Sequence, residues 1–236
     1  MIDIHCHLLY HVDDGAKTIE ESVQMLKIAK EQGIKAMILT PHYRHGMFAY
    51  PKDKIEEHFE KLYPYAQKLG LEIFLGTEYH VNSEITEAFT SGRCHTLADK
   101  QYILTEYAYE TEFSYIKRMT QEVILAGFIP VIAHAERYEC MTEDVDRARI
   151  LQSLGALIQN NADAVLGLEG RRSKNYCKKL LKKGYVDLIA SDSHGSQKRV
   201  NHMGKCYEYI TKKFGENEAK RLMEINPYRI LSGSEE

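Results

Sequence analysis

Two histidines near the start of the chain, His5 and His7, are separated by a single residue. Side chains two positions apart in an extended segment point to the same side, so both imidazoles can bind one metal ion while Cys6 faces the core. A single histidine on a strand is usually packed in the interior. Two at this spacing favour a metal site, because neutral imidazole is the commonest metal-binding side chain.

Other histidines and carboxylates stand where short apolar segments end. The segment Asp13-Asp14-Gly15 is typical of a turn, and the alternative is that Asp14 is a further ligand. Residues of the same types follow apolar segments at His42, Glu78, Glu106, His134, Asp192 and His194. Each alone is weak evidence, but chance would scatter such residues over helices and both ends of the strands. With His5 and His7 they form a set of nine candidate metal ligands.

The candidate ligands supply nitrogen and oxygen and need no thiolate, which suits manganese, iron or zinc rather than a structural zinc site. Nine ligands exceed what one ion uses, so we expect two or three ions, some of them bridged by Glu106 or another carboxylate. Such clusters hold the attacking and leaving oxygens of a phosphoryl displacement and lower the pKa of a bound water. The sequence therefore predicts a metal-dependent phosphoesterase.

Two arginines follow the candidate ligands closely. Arg137 is three residues after His134, and Arg199 is five after His194. A planar guanidinium can hold two phosphate oxygens, although an ordinary surface arginine is an equal alternative for each. Arg44 is a weaker third candidate. Five other histidines lack this placement and are expected at the surface or around the ligands: His11, His58, His80, His95 and His202. His45 belongs to the segment 45–48, which is expected to be a loop at the mouth of the site.

The elements that must position these residues are short apolar strands alternating with amphipathic helices. Strands are predicted at 2–5, 36–40, 72–76, 102–105, 130–133, 156–159 and 186–190. This rhythm is typical of parallel β/α units, and 236 residues suit one barrel domain. We predict a closed or nearly closed α/β barrel, with an open doubly wound sheet as the alternative. The carboxyl ends of barrel strands share one rim, where active sites lie.

Composition limits the function classes. The formal net charge is -3, and nucleic-acid-binding proteins usually have a basic face, so no nucleic-acid partner is expected. The five cysteines are odd in number and form no C-x-x-C pair, which favours a reducing, cytoplasmic location. No apolar run approaches the ~20 residues of a membrane span, and no targeting segment is evident.

The chain resembles the polymerase-and-histidinol-phosphatase (PHP) superfamily in its segments 3–7 and 12–15. It is most similar to one branch, the tyrosine-protein phosphatases of capsule and exopolysaccharide loci in Gram-positive bacteria. The segments that carry this resemblance are Thr40-Pro41-His42, Arg44 with Gly46-Met47-Phe48, 130–134 with Glu136-Arg137-Tyr138, 189–192 with His194, and Asn226-Pro227. The similarity extends along essentially the whole chain.

The resemblance implies a single domain over residues 1–236, a distorted seven-stranded parallel (β/α)7 barrel of the PHP type with a trinuclear metal site, commonly manganese. The implied activity removes phosphate from phosphotyrosine on the tyrosine-rich tail of a cognate kinase, regulating polysaccharide synthesis. The nine candidates fall on the family's metal ligands, and Arg137 and Arg199 on its phosphate-contacting arginines. The predicted catalytic residues are thus Arg137, Arg199, Asp14 and His42. The chain departs from the family pattern at Ala135, which borders His134 without removing a ligand, and in the segment 195–198, which lies between His194 and Arg199.

Other functions remain to be weighed. A cysteine-based phosphatase needs arginine six residues after its cysteine, and no cysteine here has one. A phosphatase of the same superfamily acting on a small molecule such as histidinol phosphate would share the metal site; a closed pocket would favour it, and an open rim a protein substrate. A non-catalytic regulator that kept the fold would lack some of the ligands, and none of the expected ligands is missing here. A metal-dependent nuclease would have a basic face, which the net charge of -3 does not favour. The sequence leaves homo-oligomer formation open.

Overall fold

The computed structural model describes residues 1–233, within which short parallel strands alternate with helices. The strands are β1 (Ile2–Cys6), β2 (Ala36–Leu39), β3 (His42–Tyr43), β4 (Glu72–Leu75), β5 (Glu78–His80), β6 (Tyr102–Glu106), β7 (Ile129–Ile132), β8 (Leu157–Asn161) and β9 (Leu188–Ala190). A strand lies at each predicted position, with bounds that differ by at most two residues. The two further strands, β3 and β5, are short and contain His42 and Glu78.

The helices lie between and after the strands. They are α1 (Ile19–Glu31), α2 (Lys52–Lys68), α3 (Ile85–Thr90), α4 (Phe113–Leu125), α5 (Glu139–Glu143), α6 (Asp146–Leu154), α7 (Ala162–Leu166), α8 (Arg171–Lys183), α9 (Met203–Phe214), α10 (Glu216–Lys220) and α11 (Asn226–Ser232). Thr18 caps α1 by accepting a hydrogen bond from the Glu21 amide at 3.3 Å, as its sequence predicts. In the described part of the chain, no helix is both long and apolar enough to cross a bilayer.

The strands form a curled parallel sheet. One group has the order β1-β2-β4, and the other is a six-stranded half-barrel with the order β3-β5-β6-β7-β8-β9. Backbone hydrogen bonds also join the end of β1 to the segment after β9: the His7 amide donates to Ser193 O, and the Asp192 amide to His5 O, each at 2.9 Å. The α/β class and the parallel pairing are thereby confirmed.

Two hydrophobic layers support the strands. An inner cluster joins residues of several strands, including Ile4, Ile38, Leu104, Val131 and Leu188. A larger cluster packs the helices against the outer side of the sheet. The rigid layers hold the carboxyl ends of the strands at a common rim, where the polar residues of the site are found.

The register of β1 against β2 shifts between Asp3 and Cys6. Ile4 packs in the inner cluster, and yet the next residue, His5, also faces inward, with its Nε2 3.2 Å from Glu78 Oε2. Irregularities of this kind re-aim side chains and are common beside active sites. The shift lets one strand contribute both to the core and to the rim.

Candidate metal centre

All nine candidate ligands converge at the rim. The donor atoms of eight of them form three overlapping groups, within each of which the atoms lie no more than 4.8 Å apart. The groups are His5, His7, Glu78 and Asp192; His7, Asp14, His42 and His194; and His42, Glu78 and Glu106. His134 stands outside these groups, but its Nε2 lies 2.8 Å from Glu78 Oε1 and 3.7 Å from Glu106 Oε1.

Glu78 lies at the centre of the cluster. Its Oε2 is 3.2, 3.1 and 3.0 Å from nitrogens of His5, His7 and His42. Burial of Glu78 opposes ionisation, but the surrounding imidazoles outweigh it and hold the pKa of this carboxyl well below its usual range. Glu78 belongs to two of the three groups, so it suits a bridging role better than Glu106, which belongs to one.

The donor atoms fit divalent ions. Three of them, His42 Nδ1, His194 Nε2 and Glu78 Oε2, are buried and, although imidazoles and carboxylates lie close to them, make no hydrogen bond among residues 1–233. Buried polar atoms without partners are costly, and ions at this position would satisfy them. The mixture of imidazole and carboxylate suits manganese, iron or zinc.

Protonation of the histidines differs between the two sides of the cluster. Burial lowers the pKa of His194 to about 4 and also lowers the pKa of His42, so both imidazoles are neutral near pH 7. For His5 and His7 burial acts in the same direction, but carboxylates raise the pKa above the usual value, chiefly Glu78 and Asp192 around His5 and Asp13 beside His7.

Several residues orient the candidate ligands, and the sequence did not identify them. Asp13 Oδ2 lies 2.8 Å from His7 Nδ1 and accepts a hydrogen bond from the His42 amide at 3.1 Å. Gln159 Oε1 lies 3.2 Å from His5 Nδ1 and accepts from the His134 amide at 2.8 Å. Such partners fix ring orientation and tautomer. The available signal was the polar end of β8, a predicted strand end to which no ligand was assigned.

The backbone around the ligands is constrained. His134 has φ 30° and Asp192 φ 52°, both in the left-handed region, which is uncommon for residues other than glycine. At Gly15 a Cβ atom would lie 2.2 Å from His7 O and 2.6 Å from His7 Cβ. Only glycine therefore lets the Asp13–Asp14 loop pass this close to β1.

Both predicted arginines reach the cluster. Arg137 Nη2 and Arg199 Nη2 lie 2.8 and 3.0 Å from Asp192 Oδ2, and Arg137 also pairs with Glu169 at 3.2 Å. Burial disfavours the charged form of Arg137, but Asp192 and Glu169 outweigh it and raise its pKa. With Arg44, the two arginines border a cavity of about 200 Å³ that is also lined by six of the nine candidate ligands.

This cavity opens sideways in two directions. A cavity of about 460 Å³ shares Arg44, Glu106, His134 and Arg137 with it. On the other side, a cavity of about 590 Å³ shares Asp14 and Arg199. The three adjoining cavities, called the groove below, lie along the rim, and six candidate ligands line the central one: Asp14, His42, Glu78, Glu106, His134 and Asp192.

A larger cavity of about 710 Å³ lies at the opposite end of the sheet, at the amino ends of β1, β2 and β4. Its described lining includes Ile2, Lys35 and Glu72 but no histidine. The amino-terminal ends of barrel strands generally serve stability rather than catalysis, so the chemistry belongs to the groove.

The remaining histidines lie outside the ligand groups. His80 Nδ1 is 3.0 Å from Glu106 Oε2 and therefore supports a candidate ligand. His58 stacks on Tyr10, His95 contacts Glu56, and His202 contacts Asp163.

Comparison with known proteins gives consistent matches over nearly the whole chain. The family model described as "Capsular polysaccharide synthesis, CpsB/CapC" matches residues 1–232. Tyrosine-protein phosphatase CpsB of Streptococcus pneumoniae is 33% identical over 238 residues, covering 98% of each chain. Tyrosine-protein phosphatase YwqE of Bacillus subtilis is 30% identical over 217 residues, covering 91% of this chain and 85% of the other.

Solved structures agree with these matches. A crystal structure from a study of YwqE and CpsB, described there as unique metal-dependent tyrosine phosphatases, superposes with a TM-score of 0.92 at 28% identity, covering 99% of this chain and 95% of that one. An organophosphorus hydrolase from Deinococcus radiodurans superposes with a TM-score of 0.62 at 14% identity, covering 98% and 92%. The second likeness concerns the fold alone.

Proposed function

This chain belongs to the CpsB/CapC family of capsular polysaccharide synthesis, and we propose that it is a metal-dependent protein-tyrosine phosphatase. The observation that carries the proposal is the convergence of nine residues with nitrogen or oxygen donors at the rim, six of which line a cavity bordered by Arg137 and Arg199. The relatives named above are tyrosine-protein phosphatases, which agrees with this chemistry.

The proposed metal ligands are His5, His7, Asp14, His42, Glu78, Glu106, His134, Asp192 and His194. When bound, two or three divalent ions, which we propose to be manganese, supply Lewis-acid stabilisation of the phosphoryl group and lower the pKa of a water for attack. Asp14 and His42 stand at the open side of the cluster, where their side chains line the cavity. We therefore propose that they are also catalytic.

The arginines supply the remaining charge. Arg137 and Arg199 approach the same edge of the cluster from opposite sides of the groove, and a guanidinium fork matches two phosphoryl oxygens. We propose that both offset charge on the phosphoryl group in the transition state. Met47 and Phe48 line the same cavity and offer an apolar surface to the tyrosyl ring.

The open groove favours a protein substrate. A small molecule is usually held in a pocket that buries most of its surface, whereas this cavity continues into wider cavities on both sides. We propose that the substrate is the tyrosine-rich tail of a cognate bacterial tyrosine kinase and that the reaction regulates capsular or exopolysaccharide synthesis. A phosphatase acting on a small phosphomonoester is the alternative.

We also propose a barrel, a single domain and a cytoplasmic location for this chain. If β2 with β3, and β4 with β5, each count as one bent strand, the sheet has seven positions, and the bonds between β1 and the segment after β9 support a distorted seven-stranded barrel. We propose a single domain over residues 1–236. All five cysteines are buried and free of disulfides, which supports a reducing cytoplasmic location.

The first test is phosphate release from a phosphotyrosine peptide and from histidinol phosphate, each measured with manganese and with a chelator. We expect manganese-dependent release from the peptide and little from histidinol phosphate. A preference for histidinol phosphate would overturn the substrate while keeping the metal centre. Activity that persists in the chelator would overturn the metal-dependent mechanism.

A further inference from the structure

The cavity of about 460 Å³ beside the candidate metal centre is lined by a positively charged side chain, Arg172, that does not line the central cavity. We propose that this side groove, whose outer part is lined by Tyr109, Thr142, Arg172 and Ser173, binds an acidic residue that flanks the phosphotyrosine, with Arg172 as the residue that recognises its carboxylate. The inference rests on the proposed function, because it assumes a phosphotyrosine peptide at the metal centre.

Continuity places the side groove on the path of a bound peptide. It shares Arg44, Glu106, His134 and Arg137 with the cavity that contains the candidate ligands. A peptide whose phosphotyrosine enters that cavity has its neighbouring residues beside these shared walls. Residues on one side of the phosphotyrosine therefore lie in the side groove.

Arg172 is held in place without being neutralised. Its Nη2 donates to Thr142 Oγ1 at 2.8 Å, and its Nη1 donates to Tyr109 Oη at 3.3 Å. No carboxylate within residues 1–233 lies within 4.0 Å of this guanidinium, whereas Arg137 pairs with both Glu169 and Asp192. Hydroxyl partners orient the fork and leave donors and the full charge for an incoming carboxylate.

The carboxylates of the side groove are already engaged. Glu106 contacts His80 and is a candidate metal ligand. Glu136 is buried and accepts hydrogen bonds from Asn160 and from the Asn161 amide. Glu169 pairs with Arg137. Among the four residues of the outer lining, the charge is therefore that of Arg172, and the Glu139 carboxylate lies beyond Tyr109, whose hydroxyl donates to it at 3.4 Å.

Two further features suit a peptide. Tyr109 is 51% exposed, and its ring gives a flat surface against which a side chain can pack. Arg172 lies in the first turn of α8, which contains no acidic residue and whose N-cap, Gly170, makes no side-chain hydrogen bond. The positive end of the helix dipole adds to the attraction for a carboxylate.

The test compares phosphotyrosine peptides that differ only beside the phosphotyrosine, with glutamate, glutamine or lysine on either its amino or its carboxyl side. The enzyme is measured as the manganese-loaded full chain, as wild type and as the variants Arg172→Gln and Arg172→Glu. The matched control is Arg171→Glu, because Arg171 is the exposed neighbour in the same helical turn and does not line the side groove.

We expect wild type to prefer the glutamate peptide over the glutamine peptide about threefold to tenfold in kcat/KM, mainly through KM. Arg172→Gln removes this preference, and Arg172→Glu transfers it to the lysine peptide, while Arg171→Glu keeps the wild-type order. Reversal of the order by a change of charge would not follow from a loss of stability.

The outcomes separate the two proposals. Equal hydrolysis of all peptides by wild type overturns the side groove inference and leaves the proposed function intact. An equal effect of Arg171→Glu and Arg172→Glu also overturns the inference, since it assigns the preference to net charge. If no phosphotyrosine peptide is hydrolysed by the manganese-loaded wild type, the proposed function fails, and the inference that rests on it fails too.

Discussion

Asp13 is a buried carboxylate that orients two of the candidate metal ligands. Asp13 contacts the His7 ring, the His42 amide and the Gly15 amide, the last at 2.8 Å. Burial of Asp13 opposes ionisation, but His7 outweighs it and lowers the pKa of this carboxyl. The Asp13 carboxylate therefore connects two segments that contain candidate ligands, although Asp13 itself belongs to none of the three groups of candidate ligands.

We expect Asp13→Asn to weaken metal binding or activity about 10- to 100-fold, because partners of this kind set the orientation and basicity of a ligating histidine. The measurement is metal affinity by titration together with metal content by mass spectrometry. Asp99→Asn is the control, since the Asp99 side chain is 82% exposed and contacts only His95 among the described ion pairs. Unchanged metal affinity in Asp13→Asn would remove Asp13 from the metal centre.

The Arg137 guanidinium is expected to stabilise negative charge on the phosphoryl group. Arg137→Ala is expected to reduce kcat/KM on a phosphotyrosine peptide about 10²- to 10³-fold, the usual effect of removing one group that stabilises transition-state charge. Arg137→Lys should recover only part of this loss, because lysine lacks the bidentate fork.

The control for these variants is Arg118→Lys, which changes an exposed arginine paired with Glu122 on α4. Steady-state kinetics at saturating manganese measures the effect, and thermal unfolding checks that each variant is folded. A loss of less than threefold in Arg137→Ala would rule out the proposed role.

At the scale of elements, the strands were largely predictable and the irregularities were not. Alternating apolar segments located every long strand, because burial on both faces of a parallel sheet leaves a strong apolar signal. The register shift in β1 and the short strands β3 and β5 depend on how neighbouring strands pair, which periodicity does not report. The two-residue periodicity of a strand predicted that His5 and His7 lie on one side, which is confirmed, but it did not predict that Ile4 also faces inward.

The candidate ligands could be selected from the sequence because they follow strand ends, where the active sites of this architecture lie. The orienting residues were less accessible. Asp13 fits an ordinary turn, and Gln159 is one of three consecutive polar residues in β8. Only their distances to the histidines distinguish them from neighbouring polar side chains.

The loop after β1 passes close to His7 at Gly15. Gly15→Ala should destabilise the protein by about 1–3 kcal/mol and reduce metal content, because the new Cβ would overlap His7 O and His7 Cβ. Gly92→Ala is the control: its Cβ would meet nothing within 4 Å, and only the left-handed backbone at φ 71° opposes it, which costs about 1–2 kcal/mol.

Urea unfolding and metal analysis of both variants test this prediction. Metal content should fall only in Gly15→Ala. If both variants retain the wild-type metal content, the close approach of the loop to β1 is not needed to position Asp14 and the His7 ring.

For the whole molecule, the rim and the remainder of the sheet are stabilised by different forces. The inner cluster around Ile4, Ile38 and Leu104 is apolar, whereas the rim concentrates buried imidazoles and carboxylates, some without partners in the described chain. Ions that bind only the native state stabilise it by mass action. The stability of this fold should therefore depend on metal concentration.

We expect manganese at about a hundredfold excess over its dissociation constant to stabilise the chain by about 2.7 kcal/mol relative to the metal-free protein in chelator. For a chain of this size that corresponds to a rise in Tm of roughly 5–10 °C. Calorimetry in manganese and in chelator measures the difference. Glu78→Gln, which removes the central carboxylate, should show a much smaller rise, and an identical Tm for wild type in both solutions would contradict metal binding at the rim.

The left-handed backbone at His134 and Asp192 has a consequence for mutational scanning of this chain. Asparagine, aspartate, histidine and glycine tolerate that conformation, whereas β-branched residues rarely adopt it. In a saturation library, valine or isoleucine at either position would be depleted for conformational reasons, before any effect on chemistry. The informative substitutions are His134→Asn and Asp192→Asn, because they keep a tolerated backbone while changing the donor, and their fitness relative to the β-branched variants separates the cost of folding the rim from the cost of losing a ligand.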